Sequence, residues 1–467
     1  MAIRWRLAAM AACASACTVG PKYTRPQAPV PPAYHEPAPA GADGWKPAQP
    51  GGVGTRGSWW ERFNDARLND LETQLNRSNQ SVAAAAASVV AANAMVREAR
   101  SQFFPAVTIN PAINYARVTA GFGVVLGNVY TSYLLPLEAS WEPDLWGRVR
   151  QTVASSRFAA QASEDEFASV RLAAQADLAA DYYALHAQDE LIRLLNAAVA
   201  AYQDALELTR DRFAAGLDND EAVAQADAQL KATQAQATSL GVLRAQYEHA
   251  IATLTGQPAS TFSLPPGRVA FTPPPVPIGV PSELLERRPD IAAAERAVAS
   301  ANAQIGIAQA AYFPSLLLSA TGGFQGLSLA QWLTWPSRVW AVGPALAQTI
   351  FDGGLRKATV QQMRASYDQT VANYRQTVLT AFQQVEDNLA AVRVLARTIA
   401  EQDAAVDAAA RSLDEATARY TGGLDPYLNV ITSQTTLLNA QQAAVDFRVQ
   451  QMLATVQLIK ALGGDWR

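Results

Sequence analysis

Two very long stretches of this chain, about residues 147–214 and 353–421, place apolar side chains at three- and four-residue spacing. This spacing predicts helices with one apolar seam, as in coiled coils. Neither stretch contains proline, so each can continue as one helix of roughly 100 Å. The alternative, an ordinary amphipathic surface helix, is disfavoured because such helices average about 11 residues. In the first stretch the seam consists of Leu178, Tyr182, Leu185, Ile192, Leu195, Val199, Tyr202, Leu206 and Phe213.

Four shorter segments alternate polar and apolar residues, which predicts half-buried β-strands. They lie at about residues 104–118, 129–143, 313–326 and 338–351. Each is about 12 residues long, slightly more than a tilted transmembrane strand needs. Pro111, Pro136 and Pro344 fall inside them and predict local bends or bulges. A soluble sandwich with one wet face remains an alternative for these segments alone, but the long helices favour a membrane barrel.

The two halves of the chain repeat one plan, because four landmarks recur in the same order about 206 to 209 residues apart. The pairs are residues 103–105 with 312–314, 144–148 with 350–354, 212–218 with 419–425, and 254–256 with 462–464. Such a constant offset indicates a tandem duplication. Each copy then contains a helix (about 69–102 or 289–311), two strands, a very long helix, a glycine turn and a shorter helix. The predicted boundaries are a signal peptide 1–16, an extended strap 17–57, repeat one 58–265, a linker 266–288, repeat two 289–464 and a tail 465–467.

The first residues are typical of a bacterial export signal with a lipid-attachment site. Arg4 and Arg6 precede the apolar run Leu7–Ala16, and small residues lead directly to Cys17. We expect Cys17 to be acylated and to become the mature N-terminus, with a small buried cysteine as the alternative. Cys13 is a rival attachment site that leaves a shorter apolar run. No later segment is expected to reach the roughly 20 apolar residues of a membrane-spanning helix.

Charge and candidate catalytic residues argue against nucleic-acid binding and against an enzyme. The net charge is −4 and no block of lysine and arginine occurs, so no electrostatic footprint for nucleic acid exists. His35, His186 and His249 are scattered, which predicts no metal site. Asp181 and Glu190 lie on predicted helices and are interpreted as solvated or helix-packing acids. No catalytic residue, metal or cofactor is expected, apart from the lipid on Cys17.

One chain supplies too few strands to close a barrel. Four strands would leave two sheet edges in lipid, where each unsatisfied backbone group costs several kcal/mol. Closure therefore requires further copies of the chain. Two copies give eight strands and three give twelve with a wider lumen, and the residues alone leave both open.

Several motifs resemble the TolC/OprM-like outer-membrane factors of tripartite efflux and type I secretion systems, most of all the acylated OprM-like branch. They are residues 285–291, 312–315, 350–354, 141–148 and 17–23. The resemblance implies a homotrimer in the outer membrane, with a twelve-stranded β-barrel and a periplasmic α-helical barrel. It also implies two partners, a periplasmic adaptor (membrane fusion) protein and an inner-membrane RND-type pump that supplies the energy. The implied function is a passive exit duct for small molecules such as drugs.

The two glycine turns are the expected adaptor-docking tips. Gly216 and Gly423 allow the positive φ of a tight reversal, and Arg212 and Arg419 lie one turn before them. We predict that these four residues contribute to the contact surface for the adaptor. Simple helix capping is the alternative, although it explains the glycines and not the matched arginines.

The resemblance also places a periplasmic gate just beyond the second tip. Leu428 stands where relatives carry a ring of leucines, and Tyr427 and Asp425 are the other predicted gate residues. Asn429 and Thr432 occupy positions that are usually acidic, so we expect a closed aperture that is less cation-selective than in relatives.

Two other functions remain possible from the sequence. The first is type I protein secretion, which the same family also serves. The second is a structural protein that conducts nothing, such as an adhesin or a periplasmic coiled-coil spacer.

Overall fold

The computed structural model describes residues 18–31, 34–35, 57–117, 129–276 and 287–464. Seven long helices account for most of them: α1 (Ala66–Ser78), α2 (Gln80–Ser101), α3 (Arg148–Ala214), α4 (Asp220–Leu254), α5 (Pro289–Ala310), α6 (Leu355–Thr421) and α7 (Tyr427–Ala461). Five strands lie between them: β1 (Ala106–Ile109), β2 (Ala112–Arg117), β3 (Val129–Trp141), β4 (Ser315–Gly326) and β5 (Arg338–Ala347).

The duplication is visible in the lengths of the helices. α2 and α5 each have 22 residues, α3 and α6 each have 67, and α4 and α7 each have 35. The starts of α3 and α6 lie 207 residues apart, as do those of α4 and α7. The repeated landmarks in the sequence therefore mark two copies of the same structural plan.

The chain divides into two compact units, and the first contains the sheet. Its described residues fall within Met1–Gln27, Ser88–Glu164 and Ala293–Arg375. All strand pairs are antiparallel, and the order across the sheet is β1/β2, β3, β4, β5. β1 and β2 both pair with β3, so they form one strand that is interrupted at Asn110 and Pro111. Within the described chain, the two outer strands therefore pair on one side only.

The register gives the sheet an apolar face and a polar face. The apolar face carries Val107, Ile109, Ile113, Tyr115, Leu135, Leu137, Trp141, Leu316, Leu318, Phe324, Trp340, Val342 and Leu346. The polar face carries Thr108, Asn114, Ser132, Glu138, Ser140, Ser319, Thr321, Gln325, Ala341, Gly343 and Ala345, with Leu134, Leu317 and Val339 as bulky apolar members. In the single chain this apolar face is exposed to solvent, as aromatic residues such as Tyr115 and Trp340 show. This alternation is typical of a membrane barrel with lipid outside and a polar lumen.

Of the three prolines predicted to bend strands, only Pro111 interrupts one. Pro136 lies within β3 opposite Gly323, and Pro344 lies within β5 opposite Leu318. A Cβ on Gly323 would stand 2.1 Å from the carbonyl oxygen of Leu135, so the missing side chain lets the two backbones approach. β5 is an outer strand of the chain's sheet, where proline is tolerated.

Three expectations about segments need correction. The helix predicted over 69–102 is two helices, because the Asn79 side chain accepts a bond from the Val82 N–H and donates to the Leu254 carbonyl. The strands predicted over 313–326 and 338–351, which are β4 and β5, are shorter than expected: β4 begins at Ser315 and β5 ends at Ala347. α2 is long and apolar enough, by length and composition only, to cross a membrane, with a mean hydropathy of 1.3. The expectation that no later segment reaches that level was wrong, because alanine and valine raise the average hydropathy; a single such helix is weak evidence of a span.

Residues 18–27 of the strap are extended and lie against helices of the first unit, to which they belong. Its hydrogen bonds join Val19 N to the Trp146 carbonyl at 3.0 Å, Asn302 Nδ2 to the Pro21 carbonyl at 3.1 Å, Arg25 Nη2 to the Tyr374 hydroxyl at 3.0 Å, and Arg375 Nε to the Gln27 carbonyl at 3.1 Å. Gly20 permits this path, because a Cβ built on it would stand 2.8 Å from Cα of Gly306. The strap is therefore bound over this part, a point that the sequence left open.

The second unit packs around a core in which the two repeats meet. Its described residues fall within Ala28–Ala87, Asp165–Ala292 and Gln376–Arg467. The most buried members are Trp59, Leu68, Leu75, Leu178, Leu185, Ile251 and Met452. The loop after α4 is fastened to this core, because Arg244 donates to the Leu264 carbonyl at 2.7 Å and to Asp189 at 2.6 Å.

Glu72 is buried in the second unit without a hydrogen-bond partner for either carboxylate oxygen. Burial raises the pKa of this carboxyl well above its usual value, so the folded protein holds a proton that the unfolded chain releases. The contribution of Glu72 to stability is therefore most favourable below the unfolded pKa, and it is lost as the pH rises through the folded pKa.

We expect Glu72→Gln to unfold like the wild type near pH 4, and to be more stable at pH 8 by on the order of 1–3 kcal/mol. Thermal unfolding in detergent, followed by circular dichroism at both pH values, measures the difference. Glu207→Gln, at an exposed position of α3, is the matched control and should change neither value. Equal stability of wild type and Glu72→Gln at pH 8 would contradict a protonated Glu72.

Candidate functional site

Both predicted docking tips are tight reversals closed by glycine. Gly216 has a φ of +74° and Gly423 a φ of +72°. At the first tip the Leu217 N–H bonds the Arg212 carbonyl at 2.9 Å, and at the second the Leu424 N–H bonds the Arg419 carbonyl at 2.9 Å. With the second bond from each glycine N–H, this is the Schellman arrangement that ends many helices. Capping therefore accounts for both glycines.

The matched arginines each bind the aspartate six residues later, across the turn. Arg419 Nε lies 2.6 Å from Asp425 Oδ2, and its Nη2 lies 3.2 Å from the other oxygen. The hydrogen bond from Arg419 holds the pKa of the Asp425 carboxyl below its usual value. Arg212 lies 3.4 Å from Asp218 and also donates to the carbonyl of Thr421 at 3.4 Å. The arginines thus brace their own turns, a role that the sequence did not suggest.

Tyr420 links the two tips. Its hydroxyl donates to Asp218 Oδ2 at 2.6 Å, and the guanidinium of Arg212 lies 4.7 Å from the centre of its ring. Burial, followed by the bond to Asp218, raises the pKa of the Tyr420 hydroxyl. The corresponding residue of the first tip is Phe213, which lacks a hydroxyl and is 46% exposed. A charged and aromatic cluster, Arg212–Asp218–Tyr420, therefore joins the end of one hairpin to the other.

The predicted gate residues lie on different sides of α7 and of the turn before it. Tyr427 is buried against Tyr420, with 5.1 Å between ring centres, and burial raises the pKa of its hydroxyl to about 12. Leu428 is 54% exposed, and Asn429 and Thr432 are exposed next to it on the same helix. Of the predicted gate residues, Leu428 thus presents a free apolar side chain, while Tyr427 supports the turn from inside the protomer.

Apolar packing below the tips holds these residues in place. The cluster includes Leu195, Tyr202, Leu206, Ala226, Leu230, Tyr420, Tyr427, Val430 and Leu438, which come from all four helices of the two hairpins. The Tyr202 hydroxyl donates to the carbonyl of Gln434 at 3.3 Å, a further bond between the hairpins.

Sequence reasoning missed the residues that link the two tips and those that are exposed at the turns. Asp218 and Asp425 recur at the same offset as the arginines, so the repeat contained a signal for their pairing. Tyr420 carried no signal, because its partner Asp218 is 202 residues away. Leu217 and Leu424 follow the two glycines and are 67% and 72% exposed, which gives both tips an apolar point.

The other candidate residues do not converge on one site. His186 lies against Asp189 and burial lowers its pKa, whereas the backbone of His35 binds Glu386. The pKa of Asp181 is raised to about 6 by burial and by its neighbour Asp177. In the part of the chain that the structure describes, no three histidine, cysteine, aspartate or glutamate residues form a group that can hold a metal ion. Cys17 and Cys13 lie outside the described residues.

Comparison with known proteins gives one consistent result. The chain matches the profile described as outer membrane efflux protein twice, over residues 71–257 and 280–464. It is 32% identical to the antibiotic efflux pump outer membrane protein ArpC of Pseudomonas putida, over 96% of this chain and 93% of the relative. The same values hold for the toluene efflux pump outer membrane protein TtgC of Pseudomonas putida. A solved structure of the outer-membrane channel OprN superposes with a TM-score of 0.87 at 30% identity, covering 96% of this chain and 100% of that one.

These matches confirm the family and the fold that the motifs predicted. The two profile matches together cover more than half of the chain and fall on its two repeats. The structural match covers both the sheet and the long helices, so the fold is that of outer-membrane channels with a β-domain and a helical barrel. This chain therefore belongs to the outer membrane efflux protein family and is an outer-membrane exit channel for efflux.

Proposed function

We propose that three copies of this chain form a twelve-stranded barrel that passively conducts small molecules out of the cell. The observation that supports the proposal most strongly is the sheet, which is four strands wide because β1 and β2 together form one of them. It has one apolar face and one polar face, and its outer strands pair on one side only. Closing such sheets in lipid requires further copies. Three copies give a lumen wide enough for a solute, whereas eight strands are just filled by side chains. The antibiotic and toluene pumps of the relatives support small molecules as the transported class.

In this proposal, partner proteins supply the energy for transport. A periplasmic adaptor and an inner-membrane RND-type pump are the partners, and the chain itself performs no catalysis. The lipid on Cys17 would anchor the chain to the outer membrane.

The two tips are the proposed adaptor contact. Leu217 and Leu424 provide exposed apolar points, and no atom lies within 4 Å of a Cβ built on Gly216 or Gly423. An adaptor side chain can therefore approach the backbone closely at both turns. Arg212 and Arg419 contribute by holding the shape of the turns, and Arg419, the more exposed arginine, can also contact the adaptor directly.

The proposed gate is centred on Leu428. Its exposed apolar side chain, repeated in three copies, would narrow the passage as an apolar ring. Asn429 and Thr432 add no charge beside it, so the closed aperture is expected to select weakly for cations. Asp425 contributes through its ion pair with Arg419, and Tyr427 positions the start of α7.

Deletion of the gene, followed by a panel of toxic compounds, tests the proposed function. We expect minimum inhibitory concentrations to fall for several apolar antibiotics or solvents, because their export pathway is lost. Complementation with the wild-type gene should restore them. Unchanged sensitivity to every compound would contradict small-molecule efflux.

Two further measurements, one on the same strain and one on the purified protein, test type I secretion and a structural role. Loss of a secreted protein with unchanged drug sensitivity would indicate type I secretion. Purified protein that produces no current in planar lipid bilayers would instead indicate a structural protein.

A further inference from the structure

A cavity of about 590 Å³ opens in the first unit beside the helix-side end of the sheet. It lies between the strap, the end of α5 with the turn that follows it, and the first turns of α6. Its lining consists of Val19, Gln309, Tyr312, Phe313, Lys357, Val360, Gln361 and Arg364. Neither the gate nor the docking tips use any of these residues.

The lining carries two positive charges and no acid. Lys357 and Arg364 lie seven residues apart on α6, which is two helical turns or about 10 Å along one face. Both are exposed, and the described residues include no ion-pair or hydrogen-bond partner of either side chain. Two unpaired cations beside amide and aromatic side chains are suited to an anionic group with several oxygens.

Unlike Lys357 and Arg364, other cations near the ends of the sheet strands form ion pairs with aspartates. Arg356 donates to Asp352 at 2.6 Å and lies 5.3 Å from the centre of the Tyr312 ring. In the first repeat, Arg150 is the counterpart of Lys357, and Asp144 binds it at 3.1 Å. Because Asp352 is occupied by Arg356, the second repeat leaves Lys357 free at the cavity.

The cavity lies at the end of the sheet that is connected to the long helices. All connections from the strands to long helices occur at this end of the sheet. Phe313 stacks on Trp146 at 4.9 Å, and Ile350 and Phe351 are almost fully exposed nearby in sequence. Aromatic residues in such positions mark the interface between lipid and water. Val19, at the rim, is two residues beyond the predicted acylation site.

We propose that this cavity binds the headgroup of an anionic phospholipid from the leaflet that faces the periplasm. Lys357 and Arg364 bind the phosphate oxygens, Gln309 and Gln361 donate to the remaining headgroup oxygens, and Phe313 and Val360 contact the start of the acyl chains. A bound lipid would fill the space between the strap and α6 at the membrane surface.

Native mass spectrometry of the full-length protein, delipidated in detergent, tests this proposal. With equal amounts of phosphatidylglycerol and phosphatidylethanolamine added, the wild type should retain the anionic lipid preferentially. The double variant Lys357→Gln/Arg364→Gln should bind phosphatidylglycerol about thirtyfold more weakly, as expected for the loss of two cations that face an anionic lipid. Arg157→Gln is the matched control, since Arg157 is an exposed arginine 207 residues before Arg364.

A charge-conserving variant and a competition with inorganic phosphate complete the experiment. Lys357→Arg keeps the charge and should bind phosphatidylglycerol like the wild type, which separates lost charge from disturbed folding. Millimolar inorganic phosphate should leave lipid retention unchanged. Wild-type retention by the double variant would overturn the proposal, as would an equal loss in Arg157→Gln. Complete displacement by inorganic phosphate would indicate a free-phosphate site and would also overturn it.

Discussion

Replacing Asp218 with alanine is expected to raise the single-channel conductance of the protein several-fold in planar lipid bilayers. The Asp218 carboxylate accepts from the Tyr420 hydroxyl at 2.6 Å and lies 3.4 Å from Arg212, so it joins the second hairpin to the first. Hydrogen bonds to a charged group contribute about 1.5–3 kcal/mol each, and the variant removes both. Without this connection the ends of the hairpins can move apart and widen the passage.

Asp425→Ala is the matched control for this prediction. Asp425 occupies the same position in the second hairpin, but its ion pair with Arg419 is exposed and stays within one turn. Its conductance should rise much less than that of Asp218→Ala, whereas Tyr420→Phe should fall between the two because it removes one of the two bonds. If Asp218→Ala conducts like Asp425→Ala, the cluster does not hold the aperture. Leu428→Ala in the same recordings examines the proposed ring, and an unchanged conductance would remove Leu428 from the gate.

Gly323→Ala is expected to abolish most of the heat-modifiable assembly in the outer-membrane fraction. The added Cβ would stand 2.1 Å from the carbonyl oxygen of Leu135 and 3.0 Å from Cα of Pro136. These are backbone atoms of the neighbouring strand, so no side chain can rotate to relieve the clash. Separation of β3 from β4 would break the sheet at its centre and cost more than the roughly 1–3 kcal/mol of ordinary overpacking.

The neighbouring glycine provides the control. Gly322 lies on the same strand with its side-chain position on the opposite face, and no atom lies within 4 Å of a Cβ built there. Gly322→Ala should therefore assemble like the wild type. Electrophoresis of heated and unheated membrane samples compares the two variants. Normal assembly of Gly323→Ala would mean that the close approach of β3 and β4 is not required.

Much of the fold could be predicted from short-range patterns. Two helices of 67 residues follow from continuous three- and four-residue spacing without proline, and both begin and end within two residues of the prediction. The alternation in residues 315–325 correctly separates the two faces of β4. The break near Asn79 was missed because it depends on a bond from the Asn79 side chain to Leu254, which is far away in the sequence.

The candidate site was predictable only in part. Repetition located both tips and their arginines, since the turn is a local motif that the duplication copied. It did not show that Arg212 and Arg419 bind their own aspartates, or that Tyr427 faces inward. The roles of the tips in docking and of Leu428 in gating stay predictions, as does acylation of Cys17.

The sequence by itself determined the duplication, the very long helices, the alternating strands and the membership of an outer-membrane channel family. The helices and strands depend on residues a few positions apart, because backbone hydrogen bonding and one-sided burial impose fixed short periods. The duplication was visible because landmarks recur about 207 residues apart, and the family was indicated by the resemblance of several motifs. Tertiary structure alone decided the bond between Tyr420 and Asp218, the approach of Gly323 to Leu135, and the cavity at Lys357 and Arg364. Each joins chain segments that are distant in sequence, so its geometry depends on how the elements pack and not on any local pattern.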